Sequence, residues 1–149
     1  MMMPLDKAIL FADDDKNDRF LIQHACRTVK VANPVVMLED GEDAVAYLKG
    51  EGKYEGVERP EPGLIVLDLK MPRMNGLETL EWIRRSGAHA CVPVLILSAS
   101  LAPEDIASAY ALGARAFLVK PSSAKELLDL IESVNDFWLR FAEYPAACE

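Results

Sequence analysis

No block of Lys or Arg occurs anywhere in the 149 residues, and acids outnumber bases 24 to 16, for a formal net charge of −8. Binding a nucleic-acid backbone calls for the opposite sign, clustered on one face, so the sequence argues against nucleic acid as a partner. Long apolar runs are absent too. The opening MMMPLDKAILFADDD has a short apolar piece that runs into acids, which suits neither a secretory signal nor a membrane span. A cytoplasmic protein with no membrane partner is the expectation. Cysteine is sparse: Cys26, Cys91 and Cys148 are odd in number, widely spaced and without a CxxC pair. That pattern argues against a disulfide frame or a zinc site and predicts reduced thiols. His24 and His89 have no metal-ligating partner nearby and are given no role. No repeat or low-complexity tract interrupts the chain, and 51% hydrophobic with 27% charged residues is the composition of one globular domain, taken as 1–149.

What is present is a regular alternation. Apolar runs of strand length recur at Ala8–Ala12, Val35–Leu38, Leu64–Leu67, Val94–Leu97 and Ala116–Val119. Most are apolar at consecutive positions, as in parallel strands covered on both faces. Helical patterns lie between them. The first starts near Asp15–Asn17, with Leu21, Ile22, Ala25 and Val29 on one face; others follow Asp40-Gly41, Asn75-Gly76, Ala102-Pro103 and Ser122-Ser123. Small polar caps and a first-turn proline support these starts. Only residues 50–63, GEGKYEGVERPEPG, lack periodicity and read as a surface loop. Five strands alternating with five helices predict an α/β fold, a doubly wound parallel sheet with helices on both faces.

Such a sheet gathers its chemistry where the carboxyl ends of its strands emerge. Here those ends carry Asp13-Asp14-Asp15, Asp68, Ser98 and Lys120-Pro121. Carboxylates crowded at one edge are relieved by a hard divalent cation, and Mg2+ takes one or two of them with waters and a phosphate oxygen. Asp68 is placed to act as a nucleophile toward phosphorus, with Lys120 and the Ser98 hydroxyl available to phosphoryl oxygens. Each residue also has a plainer explanation. The acids after the first strand could be helix caps, Ser98 an ordinary strand-end serine, Phe117 a core aromatic, and Lys120 a solvated lysine.

The segments ILFADDD, LIVLDLKMPRMNGLE, LILSAS and AFLVKP, in that order, resemble the receiver domain of bacterial response regulators. The resemblance spans about residues 6–140 and leaves 142–149 as a short tail. It implies a flavodoxin-like five-stranded sheet of order 2-1-3-4-5. It implies Asp13 and Asp14 as the acidic pair for Mg2+, Asp68 as phosphoacceptor and metal ligand, and the Lys70 backbone carbonyl as a further ligand. Ser98 then holds the hydroxyl position, Phe117 the switch aromatic and Lys120 the phosphate-pairing lysine, with a cis peptide bond before Pro121. The function implied is that of a stand-alone response regulator. It accepts a phosphoryl group from a sensor histidine kinase, a bacterial phytochrome among the candidates, with a histidine phosphotransfer protein as a further partner. It is no enzyme toward other substrates.

Two rival functions fit less well. A haloacid-dehalogenase-type phosphatase needs a second Asp two residues after the nucleophile, where this chain has Lys70, and a flavodoxin-type carrier would set its flavin phosphate against Asp13-Asp14-Asp15. The expected switch draws Ser98 toward a phosphoryl group and lets the Phe117 ring fill the vacated space, biasing the surface of helix 4, strand 5 and helix 5. Leu127, Ile131, Val134 and Trp138 form a core stripe on the last helix, while Leu130, Phe137 and Phe141 form a second. That second stripe suggests a homodimer through this face, with folding back under the tail as the alternative.

Overall fold

A computed structural model describes residues 3–143. Among them, strands β1 (Ala8–Ala12), β2 (Val35–Leu38), β3 (Pro62–Leu67), β4 (Val94–Ser98) and β5 (Ala116–Val119) form one parallel sheet of order β2-β1-β3-β4-β5. The helices are α1 (Lys16–Val29), α2 (Gly41–Lys49), α3 (Gly76–Arg85), α4 (Pro103–Ala111) and α5 (Ala124–Val134), the last continued by a π-helical segment, Asn135–Phe141. Four strands have the expected first residue. β3 starts two residues early, at Pro62, so the end of the loop belongs to the sheet. Proline is tolerated as a strand's first residue because its missing N–H is not yet needed by the ladder.

Successive apolar residues in each strand serve opposite faces. Leu10, Ile65, Leu67, Val94 and Ile96 pack with Ala44, Leu80 and Ala109 under α2, α3 and α4. Ile9, Phe11, Leu64, Val66, Leu95 and Leu97 pack with Ile22, Ala25, Ile131 and Val134 under α1 and α5. Each such large side chain, fully buried, contributes about 1.5–3 kcal/mol, so the sheet has no face it can turn to water.

Helix starts follow local chemistry. Asp15, Asp40, Asn75 and Ser123 each accept a first-turn N–H, and Asn75 with Glu78 forms a reciprocal capping box. The α1 face differs from expectation by one position: Cys26 is buried and Leu21 is exposed. The stripe Ile22, Ala25, Cys26, Val29 follows i, i+3, i+4, i+7, and Leu21 lies 100° to its side.

The 50–61 loop is tied down despite its lack of periodicity. Tyr47 Oη donates to the Pro60 carbonyl (2.7 Å), Tyr54 Oη to Asp43 (2.8 Å), and Arg59 Nε to the Tyr47 carbonyl (2.6 Å). In the last helix Ile131 and Val134 are buried, and Leu127 and Trp138 pack against the same core. The second stripe divides: Leu130 also packs inward, Phe137 stays 58% exposed, and the Phe141 side chain lies outside the described residues. Leu139, unanticipated, is buried because the wider π turn brings a residue five beyond Val134 back to the core face.

The thiols depart from expectation. Cys26 is free and buried, but Cys91, half-buried ahead of β4, is disulfide-bonded; Cys148 lies outside the described residues. Wide sequence spacing does not exclude a bridge, which needs only a Cα approach of about 4.4–6.8 Å in space.

Candidate functional site

The order β1-β3-β4-β5 sets the ends of four adjacent strands side by side, and every residue singled out at those ends lies on this edge. Asp13 and Asp14 follow β1, Asp68 follows β3, Ser98 closes β4 and Lys120 follows β5. Carboxylate oxygens of Asp13, Asp14 and Asp68 all fall within 4.8 Å of one another. Asp13 and Asp68 are buried and Asp14 is exposed, so the cluster is walled by protein on one side and open on the other. Asp15, the third acid of the run, has the plainer role: it caps α1, accepting the N–H groups of Asn17 (2.8 Å) and Asp18 (3.0 Å).

Lys120 is the counter-charge. Its Nζ lies 2.8 Å from Asp13, 3.0 Å from Asp68 and 2.8 Å from Asp18. Burial alone would lower the lysine pKa, but hydrogen bonds to Asp13, Asp18 and Asp68 hold it well above the ordinary lysine value. The Asp13 carboxyl shifts upward, since burial outweighs the help it receives from Lys120 and from the Asp15 N–H. Burial thus decides the sign at Asp13, whereas three partners decide it at Lys120. Sequence reasoning missed Asp18: it stands in the first turn of α1, outside every strand end, and nothing in its spacing pointed to Lys120.

The peptide bond before Pro121 is trans, not the expected cis, as are all others among the described residues. Trans is favoured at X-Pro bonds by about 0.5–1 kcal/mol, and Lys120 meets all three carboxylates with it in place.

Ser98 is completely buried and accepts the Ser100 N–H at 3.3 Å, which leaves its own O–H to donate. Phe117 pairs with Ile96 in the β4–β5 register and packs half-buried on the α4 side of the sheet, the same side as Ile96. Its backbone N–H donates to Tyr110 Oη at 3.0 Å, so a hydroxyl from α4 holds the outer edge of β5. The Lys70 N–H approaches Asp68 Oδ1 at 3.4 Å, and its ammonium lies 3.7 Å from Asp105, which also accepts the Ser100 hydroxyl at 2.6 Å.

The loop after β3 is shaped by close approach. A Cβ on Gly76 would stand 2.2 Å from the Asp68 carbonyl oxygen, so only glycine lets α3 start this close to the end of β3. Arg73 in this loop adopts φ 65°, a left-handed conformation uncommon for a residue other than glycine, and its guanidinium pairs with Asp40 and Glu42.

An all-oxygen, carboxylate-rich donor set with an open side fits a hard divalent cation of the Mg2+ or Mn2+ kind. The donor chemistry therefore agrees with the expected metal. No helix among the described residues is long and apolar enough to cross a membrane.

Comparison with known proteins gives a consistent picture. The response regulator receiver domain pattern matches residues 9–132. Response regulator Rcp1 of Synechocystis sp. (strain PCC 6803) is 33% identical over 141 residues, 95% of each chain. The crystal structure of the phosphorylated cyanobacterial phytochrome response regulator RcpA superposes with a TM-score of 0.84 at 35% identity, covering 94% of this chain and 99% of that one. The Mn2+-bound form of Rcp1 gives a TM-score of 0.84 at 33% identity with the same coverage.

Proposed function

The chain belongs to the response regulator receiver domain family, and from that premise we propose that Asp68 is its phosphoacceptor and that its output surface is the face of α4, β5 and α5. One observation supports this best: Lys120 Nζ bonds Asp13 and Asp68 together, at the edge where Asp14 completes the acidic cluster.

Response regulators of this family bind Mg2+, and Asp13, Asp14 and Asp68 with the Lys70 carbonyl would hold it here. A cation bound there would supply charge neutralisation to the phosphoryl oxygens. An Asp68 carboxylate oxygen attacks phosphorus, the new P–O bond forms as the donor's P–N or P–O bond breaks, and the donor leaves with that electron pair. Lys120 donates a hydrogen bond to one phosphoryl oxygen and Ser98 to another. Neither gives up its proton.

Drawing the Ser98 hydroxyl toward the phosphoryl group frees space on the side of the sheet where Phe117 packs. The ring then turns inward, and because Phe117 has no hydroxyl the switch is steric. The Tyr110 bond to the Phe117 N–H transmits the change between β5 and α4. The proposed donor is a sensor histidine kinase, with a phytochrome-type kinase favoured by the similarity to the phytochrome response regulator RcpA. A histidine phosphotransfer protein is a further candidate, and the proposed setting is the cytoplasm. The protein modifies only itself. A homodimer through the face of the last helix that bears Phe137 completes the reading, supported by the exposure of that ring. Incubation with acetyl phosphate and Mg2+ tests it: one hydroxylamine-sensitive phosphoryl group is expected, and its absence contradicts the proposal.

A further inference from the structure

Asp18 belongs to none of the strand-end motifs, yet it lies as close to the Lys120 ammonium (2.8 Å) as Asp13 does and closer than Asp68 (3.0 Å). An ammonium has three N–H donors, so the three carboxylates saturate it. Two of those acceptors have a second claim on them. Asp13 and Asp68 are members of the acidic cluster, so a cation held there competes with Lys120 for their lone pairs. Phosphorylation also turns the Asp68 carboxylate into an acyl phosphate, a weaker acceptor. Asp18 stands outside the cluster, so neither event makes a claim on its oxygens.

The placement of Asp18 is fixed from below. Asp15 caps α1 by accepting the Asp18 N–H at 3.0 Å, which sets the direction of that first turn. The Asp18 side chain is 36% exposed and that of Lys120 is 18% exposed, so the pair is only partly screened by water. Lys120 needs such a hold. It follows β5, an edge strand whose residues are half-buried or exposed, and it carries a flexible four-carbon stem.

We infer that Asp18 is a positioning residue for phosphoryl transfer, anchoring the Lys120 ammonium from the α1 side while Asp13 and Asp68 are taken up by metal and phosphoryl group. The inference rests on Asp68 being the acceptor. No covalent bond changes at Asp18: Lys120 exchanges the Asp68 oxygen for a phosphoryl oxygen and keeps its proton.

The test measures the rate of adduct formation from acetyl phosphate with Mg2+ for wild type, Asp18→Ala, Asp18→Asn, Lys120→Gln and the double variant Asp18→Ala/Lys120→Gln. Mg2+ affinity is titrated calorimetrically in parallel. Asp18→Ala is expected to slow the reaction roughly tenfold, the scale of one charge-assisted hydrogen bond, with the Mg2+ Kd changed by less than about threefold. Asp18→Asn, which is isosteric and keeps an acceptor oxygen, falls between the two and covers the case in which the alanine variant folds poorly. On the Lys120→Gln background the alanine change adds nothing. A wild-type rate in Asp18→Ala, an equal slowing on the Lys120→Gln background, or a matching loss of Mg2+ affinity overturns the inference. If wild type takes no phosphoryl group at all, the Asp68 assignment fails and carries this inference with it, an outcome distinct from a labelled wild type with an indifferent Asp18.

Discussion

Lys120 and Asp68 are 52 residues apart in the chain, and their side chains meet at 3.0 Å. They come from β5 and β3, which do not pair: β4 lies between them. Two strand spacings are about 10 Å, so the long lysine stem has to cross the end of β4, where Ser98 lies. Asp68, Ser98 and Lys120 are thus brought together by strand order, and each can be tested separately.

Asp13 illustrates the cost of the site. Burial raises its carboxyl pKa above the ordinary 3.8, so the folded chain holds this proton to higher pH than the unfolded chain. The group's contribution is most favourable below pH 3.8 and is lost as pH rises through the folded value. Asp13→Asn should therefore stabilise the metal-free protein at neutral pH, while lowering Mg2+ affinity by about tenfold or more. Thermal denaturation with and without Mg2+ checks both, and a variant less stable than wild type without metal contradicts the argument.

Gly76→Ala should destabilise by about 2 kcal/mol or more, the scale of overpacking. Its Cβ would meet the backbone of Asp68 and Leu69, at 2.2 Å and 2.8 Å, where no side chain can swing aside. Urea denaturation reads the loss, and a change below about 0.5 kcal/mol would show that α3 shifts freely.

Asp105 accepts from Ser100 at 2.6 Å but lies 3.7 Å from the exposed Lys70 ammonium. Only the first is a close hydrogen bond. A double-mutant cycle should give a coupling of about 1 kcal/mol for Ser100→Ala with Asp105→Ala and under about 0.5 kcal/mol for Lys70→Ala with Asp105→Ala. The reverse ranking would move the weight to the ion pair.

Tyr110→Phe removes the acceptor of the Phe117 N–H without changing the ring. Amide exchange at Phe117 should accelerate by about tenfold in the unphosphorylated protein, while amides of β1 and β3 are unchanged. No change at Phe117 would mean that the edge of β5 is held by other contacts.

Much of this molecule was legible in its residues, because consecutive apolar positions in Leu64–Leu67 and Val94–Leu97 allow little besides a doubly covered sheet. Asp68, Ser98 and Lys120 were legible because they follow or close such runs. What stayed hidden depends on three-dimensional approach. Asp18 reaches Lys120 across 102 residues from the first turn of α1, away from every strand end. Leu139 becomes core only through a π turn, which an i, i+3, i+4 stripe does not anticipate. The Cys91 bridge and the trans bond before Pro121 are decided by local geometry, to which residue spacing is blind.

The most direct test of the central claim is intact-mass analysis of wild type and Asp68→Asn after incubation with acetyl phosphate, with and without Mg2+. The account predicts a gain of one phosphoryl group, about 80 Da, in wild type with Mg2+ only, and none in the variant. An equal gain in Asp68→Asn, or no gain in wild type under either condition, would contradict it.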